Sequence, residues 1–268
     1  MKKYFTLIIW WILFVSNVYA SKAHVIILGT VHDLHKRPNY TEDNFRKILN
    51  FHSPDIILIE HPVDWYDENN VPNEQTLRYL TDPLYKDNGR DGQLGWAYCQ
   101  FNSILCIPYD IIGRNYYFTQ HNFFPRYELF SEERSLFFEE EIVSSRIQAR
   151  VNDLYRLCEN ATPQEINSKL CDNITQTFED TERDVHKEMV NRNFTKDPAF
   201  YNIFWDFWDN RNVVMANNIC ANAAKNPTKK ILVLNGFRHR YSLIGLLKKC
   251  SQAILVPVYP PEDKQFRR

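Results

Sequence analysis

Five short, unbroken apolar runs punctuate the chain: AHVIILGT, PDIILIE, ILCIPYD, KKILVLNG and AILVP. Each is too short and too continuous for an amphipathic helix and suits a strand buried on both faces, as in a parallel sheet. Between them, apolar residues recur at helical spacing. TEDNFRKILNFH sets Phe45, Ile48 and Leu49 on one face behind a Thr41 N-cap, GQLGWAYCQFNS reads as a second helix, and YSLIGLLKKC joins the last two strands. Residues 62–90 are polar with scattered prolines and predict a long loop carrying at most one helix.

The pattern changes near residue 115. SEERSLFFEEEIVSSRIQARVNDLYRLC, with Ser131 as N-cap, TPQEINSKLCDNITQTF and DPAFYNIFWDFWDNRNVVMANNICANAAK all carry helical periodicity. Strands alternating with helices imply right-handed βαβ units. The expectation is therefore an α/β fold, a mainly parallel central sheet flanked by helices. It forms one domain over residues 21–268, with a mainly helical insertion at about 115–205.

Composition sharpens this in three places. Apolar residues at 44% and aromatics at 15% supply a full core, and only seven glycines leave little room for flexible linkers. Residues 1–20 join a basic start, MKK, to an apolar run and the small residue Ala20. They read as a secretory signal cleaved after Ala20, and the run is shorter than the roughly 20 residues that span a bilayer. No later segment is long and apolar enough to span a membrane, so the protein is expected to be exported, periplasmic or extracellular. Removing Lys2 and Lys3 from the 32 basic residues leaves 30 against 33 acidic ones, a net charge of about −3. That balance lacks the concentrated basic face of a nucleic-acid binder. Six cysteines in an exported chain favour disulfides, and the nearest pairings are Cys99–Cys106 and Cys158–Cys171. Four sequons, at Asn39, Asn160, Asn173 and Asn193, would carry glycans in a eukaryotic secretory pathway.

Ligands of open parallel sheets bind beyond the carboxyl ends of the strands. Four predicted strands each deliver an ionisable side chain there. The first reaches His32 through GTVH, the second ends in Glu60 beside His61, the third ends at Asp110, and the fourth reaches His239 through GFRH. Any one of these has an ordinary structural explanation: a loop histidine, a cap, a salt bridge. The joint pattern points to a site, because two G-x-x-H stretches bracket the sheet and each glycine lets backbone approach a ligand closely. There is no G-x-S-x-G elbow, Walker loop, HExxH or dinucleotide fingerprint.

ILGTVH, IILIE, RNVVMANNI and ILVLNGFRH followed by GLL together resemble the TraB/PrgY/Tiki group, within the wider clan of erythromycin-esterase-like and ChaN-like proteins. A set of uncharacterised bacterial proteins shares the same Gly-Thr-x-His start. The resemblance covers roughly residues 23–112 and 205–257. It implies the α/β fold of that clan and, for Tiki-like members, a divalent-metal-dependent hydrolase acting on peptide bonds. Carried over, His32, Glu60 and His239 form the core, with Arg211 close by. The motif FRHR departs from the group, which has small apolar residues before the histidine. Arg238 and Arg240 therefore bring basic charge to the metal position, either selecting an acidic substrate or marking the loss of metal.

Two imidazoles and a carboxylate suit zinc, manganese or cobalt with an open position for water, whose pKa the metal would lower. In that reading His32, His239 and Glu60 bind the metal, or Glu60 takes the proton from water. Asp110 orients a histidine, Arg211 steadies oxyanion charge or forms a salt bridge, and the substrate is a peptide or a small ester or amide. Asp33 and His35 are nearby alternatives as ligands. A metal-free reading makes one histidine, polarised by Glu60, the general base on water. A non-catalytic reading makes the protein an exported binder of haem or peptide, with AFYNIFWDFWDN lining a pocket rather than packing as core.

Overall fold

The computed structural model describes residues 21–140 and 142–259; the expected signal segment lies outside them. Five strands form one parallel sheet: β1 (Ala23–Thr30), β2 (Ile56–Pro62), β3 (Leu105–Asp110), β4 (Lys230–Gly236) and β5 (Ala253–Val256), in the order β3-β2-β4-β1-β5. Each strand contributes alternate residues to opposite faces, which is why the runs read as continuously apolar. Ile26, Leu28, Ile57, Ile59, Leu232 and Leu234 face one layer. Val25, Ile27, Ile56, Leu58, Ile231 and Val233 face the other.

The described helices are α1 (Glu42–His52), α2 (Glu74–Thr81), α3 (Arg90–Asn102), α4 (Arg114–Gln120), α5 (Phe123–Glu140), α6 (Ile142–Glu159), α7 (Pro163–Ile166), α8 (Lys169–Asn191), α9 (Phe200–Lys225) and α10 (Phe237–Leu247). α1 and α3 cover the first face through Phe45, Ile48, Leu49, Leu94 and Cys99. α9 and α10 cover the second through Met215, Ile219, Leu243 and Leu247. The crossovers that leave β1 and β4 run in opposite directions although the two strands are neighbours. The crevice between their carboxyl ends is thus the topological switch point of the sheet.

Several boundaries differ from the periodicity. The 62–90 stretch holds α2 and two short 3₁₀ turns, with Asn73 capping α2 at Thr76 N. Ser131 lies inside α5, because the apolar stretch FFPRYELF continues the same helix upstream. Between Thr162 and Asn191 one expected helix is two: Thr162 and Glu165 close a capping box on α7, and Ser168 caps α8. The expected end of the insertion near residue 205 falls within α9, a single helix with two environments. Phe200, Phe204 and Trp205 pack with Phe123, Phe130, Phe137 and Met189, while Met215 to Ala223 lie on the sheet. The aromatic stretch is therefore core, Trp208 packing against it at the edge. Among the described residues no helix is long and apolar enough to cross a membrane.

Disulfides join Cys158 to Cys171 and Cys220 to Cys250, as suits an exported chain. The nearest-neighbour expectation holds for the first pair and fails for Cys99–Cys106, which are buried free thiols packed between α3 and β3. The Cys220–Cys250 bridge crosses 30 residues and ties α9 to the segment after α10, a partnership created by the fold rather than by spacing.

The helical part is fastened to the sheet by polar contacts. Asn167 accepts from Gly29 N at 2.7 Å and donates to Gly29 O at 3.0 Å, satisfying β1 where β5 has already ended. Arg240 pairs with Asp172 and donates to Ile27 O at 3.2 Å. A side chain at Gly29 would meet Arg240 and Phe237 at 3.0–3.1 Å, so these neighbours would have to shift by a few tenths of an ångström to admit one. Arg238 reaches Glu179 at 3.0 Å and Glu182 at 2.6 Å, two acids of α8 that are about 2% exposed. Both arginines of the FRHR motif are thus structural anchors. Truncating Arg238 leaves these carboxylates buried with less compensation. The Arg238→Ala variant is expected to lose about 3–5 kcal/mol in urea unfolding, as for broken buried ion pairs. A loss below about 1 kcal/mol would contradict the anchoring role.

Candidate active site at the switch point

A cleft of about 520 Å³ opens at the switch point and is lined by His32, Glu60, Arg211 and His239, together with Gly236, Trp208 and residues of α6. The structure thus gathers His32, Glu60 and His239 from three separate strand ends. His32 follows β1, Glu60 stands near the end of β2, and His239 sits in the first turn of α10 rather than on a loop.

Arg211 stands at the centre. Its Nε donates to Asp110 Oδ1 at 2.8 Å, and Nη2 donates to Asp110 Oδ2 at 2.8 Å and to Glu60 Oε1 at 2.6 Å. Nη1 lies 3.2 Å from His239 Nε2. Asp110 is fully buried and also receives Arg114 Nη1 at 2.8 Å. Asp110 therefore orients two arginines, not a histidine. Arg211 works chiefly as the cation that binds two strand-end acids together.

His239 is fixed on every side. Its Nδ1 faces Asn212 Oδ1 at 2.6 Å and its ring stacks on Trp208, centroids 4.3 Å apart. With Arg211 donating to Nε2, the arrangement assigns the proton to Nδ1, which then donates to Asn212. Burial is the largest influence on this imidazole and Arg211 adds to it. Together they outweigh the pull of Glu60 and hold His239 neutral, well below the usual histidine range. Glu60 is the opposite case. Burial opposes its charge, but attraction to Arg211 and His32 and the N–H of Gly236, at 2.6 Å from Oε2, keep it ionised with a lowered pKa.

His32 has a partner that the sequence patterns did not single out. Asp91, 4% exposed, opens α3, and the N–H of the preceding Arg90 donates to His32 O at 2.9 Å. That contact brings Asp91 Oδ1 to 3.1 Å from His32 Nδ1, while the Thr30 hydroxyl donates to the other carboxylate oxygen. The Asp91 charge is the chief cause of a His32 pKa raised to about 9, against the opposing effect of burial. Half of the His32 side chain is open to solvent, which screens the pair, so its titration belongs between 6.5 and 9. His32 Nε2 points at Gly236, where an added methyl would lie 3.1 Å away, so the glycine keeps this nitrogen accessible.

The other candidates are dispersed. Asp33 lies at the mouth and pairs with Arg37 at 2.8 Å, whereas His35 does not line the cleft. His61 turns away into a buried aromatic group, 2.8 Å from the Tyr66 hydroxyl, and burial lowers its pKa to about 4. Asp91 was hard to find because nothing in its spacing links it to His32. The one available hint is an acid beside the start of a predicted helix.

The donor set does not fit the divalent metal that the resemblance implies. His239 Nε2 and Glu60 Oε1 both face the Arg211 guanidinium, and His32 carries its proton at neutral pH. Among the described residues no group of three or more His, Cys, Asp or Glu side chains is arranged to hold a metal ion. No protein-family model, curated protein or solved structure matches the chain.

Two outcomes follow. Imidazole NMR titration should place His32 above 7, and the Asp91→Asn variant should bring it to about 6.5 or below. The sign is that of a raised histidine: stabilisation from the pair is complete below 6.5 and fades as pH rises through about 9. An unshifted His32 in Asp91→Asn would contradict the pairing. Dialysis against zinc at pH 7 should leave well under one equivalent on the wild-type protein. One equivalent that vanishes in His239→Ala would show that the metal displaces Arg211.

Proposed function

We propose that this protein is an exported hydrolase of the TraB/erythromycin-esterase type that cleaves an ester or amide bond by metal-free acid–base chemistry. The single observation that supports this most strongly is the Thr30–Asp91–His32 relay. A buried carboxylate fixes Nδ1 of a half-exposed imidazole whose Nε2 is aimed into the cleft. This is the relation of base to orienting acid that activates water or a hydroxyl in hydrolytic sites.

In this reading His32 Nε2 takes a proton from water as the water attacks the substrate carbonyl. The imidazolium, stabilised by Asp91, then returns the proton to the leaving oxygen or nitrogen. Charge developing on the carbonyl oxygen is met by the first-turn N–H groups of α10, beyond the Gly236 N–H that Glu60 already takes. Glu60, accepting from Gly236 N, and Arg211, holding Glu60 and His239, keep that end of α10 in place. They position the reaction and exchange no proton in it. The cleft is close to charge-balanced, since Arg37, Arg211 and Arg238 all carry acidic partners. That favours a neutral substrate over the acidic one that the FRHR motif allowed.

The test is hydrolysis of p-nitrophenyl ester and fluorogenic peptide panels by the purified protein, with and without EDTA. Activity is expected to survive the chelator, to rise with pH as His32 loses its proton between 6.5 and 9, and to fall about 10²–10⁴-fold in His32→Ala. Turnover abolished by EDTA, or equal rates in His32→Ala, would overturn the mechanism.

A further inference from the structure

Glu159, the last residue of α6, lines the His32 cleft one helical turn beyond Tyr155, and the mechanism above leaves both unused. We propose that Glu159 is a specificity residue whose carboxylate receives a cationic N–H group, an ammonium or guanidinium, carried by the substrate. The inference deepens the hydrolase reading and rests on it for the bond that is cleaved. Capture of the cation itself is measurable without turnover.

The other charges along the cleft are matched. His32, Glu60 and Arg238 have the partners described above, and Asp33 takes Arg37 at 2.8 Å. Glu159 has neither a hydrogen bond nor an ion pair among the described residues. Its surroundings oppose its charge rather than fix it. Burial is the chief influence and raises its pKa. Arg37 draws it down, but Asp33, which already holds that arginine, pushes it up again, and Arg156 and Arg238 help less. The carbonyl end of α6 disfavours an acid as well. Two acids therefore share Arg37, and one negative charge is left over at the cleft. An acid kept where its own fold disfavours it is the mark of a site whose partner comes from outside.

Tyr155 supplies a second contact. Its ring packs on Phe178 and Phe237, with centroids 4.1 and 5.4 Å away, so its position is fixed. Its hydroxyl has no hydrogen-bond partner among the described residues and, like the carboxylate, can accept from an N–H group. Two other cations fit less well. A quaternary ammonium is bound through open ring faces, and Trp208 already carries His239, stacked at 4.3 Å, and Arg238, 5.0 Å from its centroid. A metal ion needs several ligands held together, and among the described residues no group of three stands ready. A cation with N–H donors needs only one carboxylate, and the charge-assisted hydrogen bond it forms is short and strong.

The probes are the N-acetyl methylamides and methyl esters of lysine, arginine and norleucine, the last being neutral and of similar length. Titration calorimetry with the methylamides, in His32→Ala so that no turnover intervenes, should show lysine or arginine bound about tenfold more tightly than norleucine. Glu159→Gln in the same background should bring the three within about twofold of one another, and Tyr155→Phe should weaken the favoured one several-fold. The preference should also shrink as ionic strength rises. No binding of any probe at millimolar concentration, equal binding of all three, or a preference that Glu159→Gln retains would overturn the inference. So would a marked loss of stability to urea in Glu159→Gln, which would make the acid structural. The methyl esters, given to the wild-type protein, separate this from the hydrolase reading. Cation-selective binding with no ester turnover would sink the hydrolysis and leave the site standing, whereas turnover without selectivity would do the reverse.

Discussion

Arg211 is a guanidinium taken almost wholly out of water, and that single burial organises the functional end of the molecule. A desolvated cation of this kind persists only when acids surround it at hydrogen-bonding distance. Here the acids come from the ends of β3 and β2, and the remaining contact comes from α10. The requirement to match one charge therefore fixes where two strands end and where a helix begins. Arg114 on Asp110 extends the same network to the Trp65 ring, 5.4 Å from the guanidinium, so the Asp110 carboxylate supports both neighbours.

The helical part obeys a similar logic one layer out. Its own core is aromatic, but its attachment to the sheet is polar and specific: Asn167 on Gly29, Asp172 on Arg240, and Glu179 with Glu182 on Arg238. Glu179 also accepts from Trp208 at 2.9 Å and Tyr241 at 2.8 Å. Because Trp208 stacks on His239, the anchoring network ends against the site itself. Buried carboxylates tolerate little displacement, so α8 is held firmly against α10 and Trp208 beside the cleft.

How much of this the sequence disclosed depends on which physical signal each feature leaves. The strands were legible because burial on both faces forces unbroken apolar runs, and the rim positions of His32, Glu60, Asp110 and His239 followed from parallel topology alone. Asp91 left no such trace, since its partnership with His32 arises when the start of α3 docks against the residue after β1. Arg240 misled for a related reason, and Arg238, although it lines the cleft, brings no unmatched charge there. A basic residue beside a histidine looks like part of the site until the acids of α8, some sixty residues away in sequence, are seen to claim it. The Cys99–Cys106 expectation failed because proximity in sequence does not set sulfur geometry, whereas Cys220 and Cys250 are brought together by two helices packed on one sheet face.

The two imidazoles of the G-x-x-H stretches carry the deepest consequence of this arrangement. They follow neighbouring strands and open into one cleft, yet their surroundings drive them to opposite protonation states. His239 is enclosed, stacked and faced by a guanidinium, so charging it would place two cations in contact with little water between them. His32 is half open, with a carboxylate fixed at Nδ1, so charging it completes an ion pair. Groups of one chemical type driven apart in this way can hold different roles at the same pH. A metal would have to reverse both assignments, stripping the proton from His32 and expelling Arg211 from His239. The misfit to a metal thus comes from the same buried guanidinium that holds the strand ends together.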